Sequence, residues 1–161
     1  MCYLIRDVVL NHSPLQNRST YEEKTMTILQ IDRTKPFDPV AFIGVGWSIV
    51  KQDKRSLALT EVDVTKLSLQ LKRRKDTGHI RLDAQVFKTL WYNQSLIPAS
   101  WKELTNGKIT YTHFDGTILR SSTGKSFLLF FCWVDGEWHW DCNFISSRRQ
   151  WANEPFAVLA S

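Results

Sequence analysis

Hydrophobic and polar residues alternate along much of this chain, and this two-residue period predicts β-strands. In the clearest run, residues 41–50, the bulky Ile43, Val45, Trp47 and Ile49 alternate with small residues. Further strands are expected over 26–31, 57–64 and 67–71. The chain should therefore be rich in sheet.

A helical period replaces this alternation after residue 83. Apolar residues at the spacing of one helical face follow, namely Val86, Phe87, Leu90 and Trp91. Asp83 is a good N-cap, because its carboxylate can accept a hydrogen bond from a free N–H of the first turn. The pattern predicts a short amphipathic helix over 84–93 that lies on a sheet. Pro98 should begin a second helical turn.

Three turn dipeptides punctuate the C-terminal half: Asp115-Gly116, Thr123-Gly124 and Asp135-Gly136. An Asx-Gly pair between two alternating runs is typical of a tight hairpin, because both turn residues take positive φ. We therefore expect a C-terminal four-strand antiparallel meander. Its strands would span 109–114, 117–121, 126–134 and 137–145.

Two-residue turns also fix the register of the strands that they join. Around Asp135-Gly136 the register opposes Cys132 to His139, and its continuation gives the sheet two faces. The predicted core face carries Ile109, Tyr111, Ile118, Phe127, Leu129, Phe131, Trp133, Trp138, Trp140, Cys142 and Phe144. The predicted opposite face is half polar and carries Thr110, Thr112, Phe114, Leu119, Phe130, Cys132, His139, Asp141 and Asn143.

These elements predict an α+β fold. We expect a β-rich antiparallel sheet of about seven to nine strands, curved or barrel-like, covered by one short helix near 84–93. Residues 1–24 should form an N-terminal arm, because Asn11-His12-Ser13-Pro14 interrupts the first apolar run and polar residues follow it. Residues 25–161 should form a single domain.

Composition narrows the class of protein. Of 161 residues, 43% are hydrophobic and 23% are charged, which excludes a disordered chain. No apolar run is long enough to span a membrane, so no membrane partner is expected. The N-terminus has Arg6 and Asp7 inside its apolar stretch, unlike a signal peptide. We expect a cytoplasmic protein whose cysteines are reduced.

The same register brings together Cys132, His139 and Asp141 on one face. A thiol, an imidazole base and an orienting carboxylate are what a cysteine nucleophile needs. The alternative is an ordinary sheet surface, since nucleophiles usually lie on turns rather than in the middle of a strand. Cys132 and Cys142 should point to opposite faces, so we expect no metal site and no disulfide between them.

No cofactor is expected either. Gly124-Lys125-Ser126 resembles the end of a phosphate-binding loop, but it leads into a predicted strand where such a loop must open a helix. Gly44-Val45-Gly46 lacks the third glycine of a dinucleotide site.

Two basic clusters are candidate ligand-binding residues in a chain whose formal net charge is +5. The first is Lys72, Arg73, Arg74 and Lys75, and the second is Arg148, Arg149 and Trp151. Lysine and arginine neutralise phosphates, and an exposed aromatic ring beside arginine can stack on a base. The alternatives are a solvated loop for the first cluster, and a tryptophan that closes the core edge for the second.

Four segments of the chain resemble a group of uncharacterised bacterial proteins. They are PFDPVAFIGVGWSI, LALTEVDVTKL, GHIRLDAQVFKTLWYNQSLIPASWKEL and the terminal AVLAS. The resemblance implies a bacterial origin and supplies no chemistry, because no function is assigned to that group.

The function that the sequence predicts is a non-catalytic binding module for a protein or nucleic-acid partner. The alternative is a small-molecule enzyme whose pocket surrounds Cys132, His139 and Asp141. A homodimer through an exposed sheet edge is a further partner that the pattern allows.

Overall fold

The computed structural model describes residues 27–71, 78–146 and 154–160. Within them lie nine strands: β1 (Ile28–Gln30), β2 (Ser48–Gln52), β3 (Glu61–Asp63), β4 (Leu67–Gln70), β5 (Ile80–Arg81), β6 (Thr112–Arg120), β7 (Ser126–Val134), β8 (Glu137–Phe144) and β9 (Phe156–Leu159). The helices are α1 (Pro39–Phe42), α2 (Lys54–Leu57) and α3 (Ala84–Trp91), with 3-10 turns at Val64–Lys66, Gln94–Leu96 and Ala99–Lys102.

The β-rich α+β class is confirmed, but the strands form two sheets rather than one. The larger sheet has the order β4-β9-β6-β7-β8, with β2 also paired to β6 and β5 to β9. β1 and β3 form a separate two-stranded sheet. The larger sheet is mixed, because β9 runs parallel to β6 where His113 meets Phe156.

Helix α3 confirms the helix predicted over 84–93, although it ends at Trp91. Asp83 caps it by accepting a hydrogen bond from the Val86 N–H at 3.0 Å. The buried Asp83 carboxylate is also paired with the Arg33 guanidinium at 2.7 Å. The Asp83 cap therefore links α3 to Arg33, in the segment before α1. The apolar face of α3 covers the sheet.

Two predicted strands are wrong at their beginnings. In the segment 41–50, the first residues belong to α1, because the Asp38 side chain accepts from the Val40 N–H and Pro39 takes the first helical position. In the segment 57–64, Leu57 ends α2, which Asp53 caps in the same way. Short aspartate-capped turns therefore replace the starts of both runs.

The predicted hairpin at Asp115-Gly116 is wrong, and the four-strand meander with it. Both residues are buried inside the single long strand β6. Asp115 forms an ion pair with Arg81, and the Gly116 N–H donates to the Leu82 carbonyl at 3.0 Å. A Cβ at residue 116 would lie 2.5 Å from that carbonyl carbon, so the glycine serves a close backbone approach rather than a turn.

Three consecutive strands, β6, β7 and β8, pair in antiparallel order. The turn Asp135-Gly136 joins β7 to β8 with φ values of 52° and 78°, as a type I′ turn requires. Its predicted register is confirmed, with Cys132 opposite His139.

Three residues of β6 lie on the opposite face of the sheet from the one predicted. β6 and β7 are joined by residues 121–125, so Arg120 pairs with Ser126 and Leu119 with Phe127. Thr112, Phe114 and Leu119, which the sequence pattern predicts for the half-polar face, lie on the core face instead. An odd number of loop residues in place of a two-residue turn reverses the face of Leu119. The register shift between Phe114 and Leu119 places Phe114 and Thr112 opposite Leu129 and Phe131, on the core face as well.

The core face of β7 and β8 carries paired aromatic side chains, which we call the aromatic slab: Phe127, Phe131, Trp133, Trp138, Trp140 and Phe144. Phe87 of α3 stacks on Phe131 with a centroid distance of 4.3 Å. Phe42 of α1 packs on Trp140 at 4.6 Å. The helices therefore cover the middle of the slab and leave its two ends to other elements.

Candidate functional site

The half-polar face predicted around Cys132 exists on β7 and β8. Cys132 lies opposite His139, and Phe130 lies opposite Asp141. The register thus places all three predicted site residues on one face of the sheet. Cys142 points to the other face, and both cysteines are free thiols.

Two hydrogen bonds of this face connect its polar side chains to the backbone of the β7–β8 hairpin. The His139 Nε2 atom lies 3.3 Å from the Val134 carbonyl oxygen. The Asp141 carboxylate accepts from the N–H of Cys142 at 2.7 Å. Each partner of Cys132 is therefore engaged with the backbone of its own hairpin, and Cys132 itself is only 1% exposed.

Cys142 offers no reactive thiol either. Its burial against the core, with a smaller contribution from the nearby Asp141 charge, raises the pKa of the thiol to about 12. The thiolate is the reactive form of cysteine. At neutral pH Cys142 is therefore protonated and chemically inert.

His113 is a buried residue of the same face, and it is not among the site residues predicted from the sequence. It lies opposite Phe130 and is fully buried. Its Nε2 atom lies 3.3 Å from the Asn143 side-chain nitrogen, and its Nδ1 atom lies 3.7 Å from the Glu154 carboxylate. Loss of hydration lowers the pKa of His113 to about 4. The register shift between Phe114 and Leu119 places His113 on this face, and no local sequence signal marks that shift.

One end of the aromatic slab is basic. Trp47 packs edge-on against Phe127 at 5.0 Å, and Phe127 contacts Phe144 at 5.7 Å. The Lys125 ammonium lies 5.2 Å from the centre of the Phe144 ring. We call this region the basic end and define it as residues 44–52, 117–127 and 142–146.

The loops of the basic end fit closely together. Gly46 has φ of +91°, and a Cβ there would lie 2.8 Å from the Cβ of Ser122. The segment that carries Trp47 is therefore held against the loop between β6 and β7. The sequence pattern predicts a strand for Gly44, Gly46 and Trp47, whereas the observed strand β2 begins at Ser48.

The opposite end of the slab is acidic. Trp133 and Trp138 pack there with a centroid distance of 5.2 Å, and the Lys102 ammonium lies 4.0 Å from the Trp133 ring. We define the acidic end as residues 101–104 and 133–138. Its carboxylates are those of Glu103, Asp135 and Glu137.

Several predicted binding residues lie outside the described residues. They are Lys72, Arg73, Arg74, Lys75, Arg148, Arg149 and Trp151, together with the arm 1–24. Their role in ligand binding stays a prediction.

Neither a metal site nor a membrane helix is found in the part of the chain that the structure describes. No group of three or more His, Cys, Asp or Glu side chains there is placed to hold a metal ion. No helix there is long and apolar enough to cross a membrane. No protein-family model, curated protein or solved structure matches this chain.

Proposed function

We propose that this protein is a non-catalytic binding module for a nucleic-acid or protein partner. The observation that carries this proposal is the basic end, where an aromatic ring approaches the solvent beside a lysine side chain. Phe144 is 38% exposed there, beneath Lys125. Aromatic rings next to cations are typical of surfaces that bind single-stranded nucleic acids, and they also serve as anchors in protein interfaces.

The burial of Cys132 and the pKa of Cys142 support a binding function over cysteine catalysis. A cysteine nucleophile needs access to its substrate and a base that lowers its pKa. Cys132 is buried, and the imidazole opposite it contacts a backbone carbonyl. The pKa of Cys142 is raised rather than lowered.

The proposal is tested by titrating the intrinsic tryptophan fluorescence with mixed-sequence single-stranded and duplex oligonucleotides at low and moderate salt. Saturable quenching that weakens steeply with salt is the expected result for a nucleic-acid partner, because phosphate contacts release counterions. Absence of any change at low salt would remove the nucleic-acid partner.

A protein partner is the second form of the proposal, and a second copy of this chain is one such partner. β8 lies at the end of the strand order, and β7 is its only partner among the described strands. An edge of this length offers backbone groups for pairing with another strand. Sedimentation over a range of protein concentrations tests it, and a monomer at all concentrations would remove the homodimer.

A small-molecule enzyme with a pocket around Cys132, His139 and Asp141 is the candidate of a different class. The observation in its favour is that His113 and Asn143 join these residues on the same face. Selective alkylation of Cys132 by iodoacetamide near neutral pH, located by peptide mass spectrometry, would support it. A thiol that reacts only after unfolding would support the binding module.

Two further predictions belong to this proposal. The sheet is curved or barrel-like, which is supported by the irregular register between Ile49 and Lys51 and between Phe114 and Leu119, because bulges bend strands. We also propose that the protein is bacterial, which the resemblance supports, and cytoplasmic.

A further inference from the structure

The rings at the basic end form a continuous row at the edge of the slab. Trp47 meets Phe127 edge-on, and Phe127 lies directly opposite Phe144 across the strands β7 and β8. The helices α1 and α3 cover the middle of the slab through Phe42 and Phe87. The row therefore ends in a partly exposed ring, Phe144, which has a free portion of its surface for a further flat group.

The segments of the basic end carry charge of one sign. They contain Lys51, Arg120 and Lys125 and no acidic residue. All three cationic side chains are exposed. Lys125 lies over the Phe144 ring, whereas the register places Arg120 and Lys51 on the opposite face of the sheet. Two acidic residues flank these segments: Asp53, which caps α2, and Asp141, which lies opposite Phe130 on the face of the sheet away from Phe144. The basic end is therefore a suitable counterpart for phosphates.

A base offers its flat face to a ring only when it is unpaired, because in a duplex each face is covered by the neighbouring base pair. A surface that combines a partly exposed ring with separate cations therefore favours a single strand over a duplex. An acidic peptide would match the cations but would leave the ring without a stacking partner.

From this combination we propose that single-stranded nucleic acid binds at the basic end. Its bases stack on Phe144 beside Trp47, and its phosphates lie near Lys125. This inference rests on the proposed binding function, and it adds the class of partner and the place where it binds.

The first test compares two lysines that make the same kind of contact at opposite ends of the slab. The probe is a fluorescein-labelled single-stranded DNA of mixed sequence, about 12 nucleotides long, and the measurement is fluorescence anisotropy with the full-length protein. Lys125→Glu should weaken binding at least about tenfold at low salt. Lys102→Glu removes an equivalent cation–π contact at the acidic end and should leave the affinity within about twofold.

A second pair of variants tests stacking. Phe144→Ala should weaken binding by roughly five- to 150-fold, the range for loss of one stacked base. Tyr92→Ala removes another exposed aromatic ring, 68% exposed at the end of α3, and should have no effect on the affinity. Circular dichroism and a thermal melt of each variant exclude loss of fold as the cause.

A third variant locates the fluorescence change. Trp47→Phe retains an aromatic ring next to Phe127 but removes one fluorophore. It should bind the labelled strand with nearly unchanged affinity and lose a large part of the quenching seen with the wild-type protein. Inorganic polyphosphate should compete weakly and should not quench Trp47, since it has charges and no bases.

The outcomes separate this inference from the proposed function. Wild-type binding that is unaffected by both Lys125→Glu and Phe144→Ala would overturn the site and leave a nucleic-acid partner in place. Equal affinity for duplex and single strand, or full competition by polyphosphate, would overturn the stacking. No binding of any oligonucleotide at low salt would overturn the nucleic-acid function itself, and the inference with it.

Discussion

The two ends of the aromatic slab use the same packing but differ in charge. At each end a lysine ammonium lies over an aromatic ring, at 4.0 Å between Lys102 and Trp133 and at 5.2 Å between Lys125 and Phe144. Around Lys102 the segments of the acidic end contribute three carboxylates, whereas the segments of the basic end contribute none. The acidic end therefore has a net negative charge and the basic end a net positive charge, so a negatively charged partner is favoured at the basic end.

This difference shows that aromatic packing alone does not identify a binding surface. Both ends have pairs of rings within ordinary contact distance, and the packing at each end is typical of the edge of a hydrophobic core. The sign of the surrounding charge distinguishes them. We therefore expect the two ends to differ in function although the same aromatic core stabilises both.

The largest loss of stability is expected from a substitution at the centre of the slab, which lies between the two ends. Phe131 is fully buried and stacked on Phe87. Phe131→Ala should lower the free energy of unfolding by about 3–5 kcal/mol, because it removes buried apolar surface and leaves a cavity. Urea denaturation followed by tryptophan fluorescence measures this loss. A loss no greater than that of Phe144→Ala would contradict a slab whose stability comes from its covered middle.

Acidification should produce the next largest loss of stability. Its cause is His113, which belongs to neither end of the slab. Burial lowers the pKa of His113 to about 4 from an ordinary value of 6.5, so the folded state holds the neutral imidazole. The stabilising effect of the neutral imidazole is complete above pH 6.5 and is lost as the pH falls from 6.5 towards 4. The loss should approach about 3 kcal/mol, and unfolding by urea at several pH values measures it.

Two controls define this pH dependence. A His113→Gln variant should lack most of the slope between pH 6.5 and 4. Burial raises the pKa of Glu154, whose protonation favours the folded state and offsets part of the loss. The charge variants at the two ends are therefore best compared above pH 6.5, where His113 does not titrate. A wild-type stability that does not change over this range would contradict the burial of His113.

The smallest effects are expected from one glycine at each end. Gly136 at the acidic end has φ of +78° and open space around it, so Gly136→Ala should cost about 1 kcal/mol of backbone strain. Gly46 at the basic end has φ of +91°, and its added Cβ would also meet Ser122 at 2.8 Å. Gly46→Ala should therefore cost about 2–3 kcal/mol.

Thermal melts and urea curves of the two glycine variants measure the difference directly. Gly46→Ala should also weaken oligonucleotide binding, since it moves the segment that carries Trp47. Equal destabilisation by both substitutions would mean that the close fit between Gly46 and Ser122 does not hold the basic end together.

Local signals predicted some elements well. The helix capped by Asp83 and the hairpin turn at Asp135-Gly136 were predicted from sequence, and so was the register that opposes Cys132 to His139. In each case the information lies within a few residues, because a cap needs one side chain and a type I′ turn fixes the pairs that follow it. The shared face of Cys132, His139 and Asp141 followed from that register.

Other signals failed because distant parts of the chain overrode them. Asp115-Gly116 has the composition of a turn, but the Arg81 side chain pairs with its carboxylate and the Leu82 backbone occupies the space beside its glycine. The Asn106-Gly107 turn, with φ of 52° and 74°, was missed although it is a strong hairpin signal. Local sequence does not reveal which of two similar dipeptides will be buried.

Local sequence specifies the strand-rich class, the helix α3, the β7–β8 hairpin and the aromatic residues of the slab, because hydrophobic period and turn chemistry act over short distances. Long-range contacts specify that β6 continues through Asp115-Gly116, that His113 is buried beside Asn143, and that Trp47 packs against Phe127. These contacts join residues far apart in the chain, and their free energy comes from burial and ion pairing that no local pattern records. The difference between the basic end and the acidic end arises in the same way, from segments that only the fold brings together.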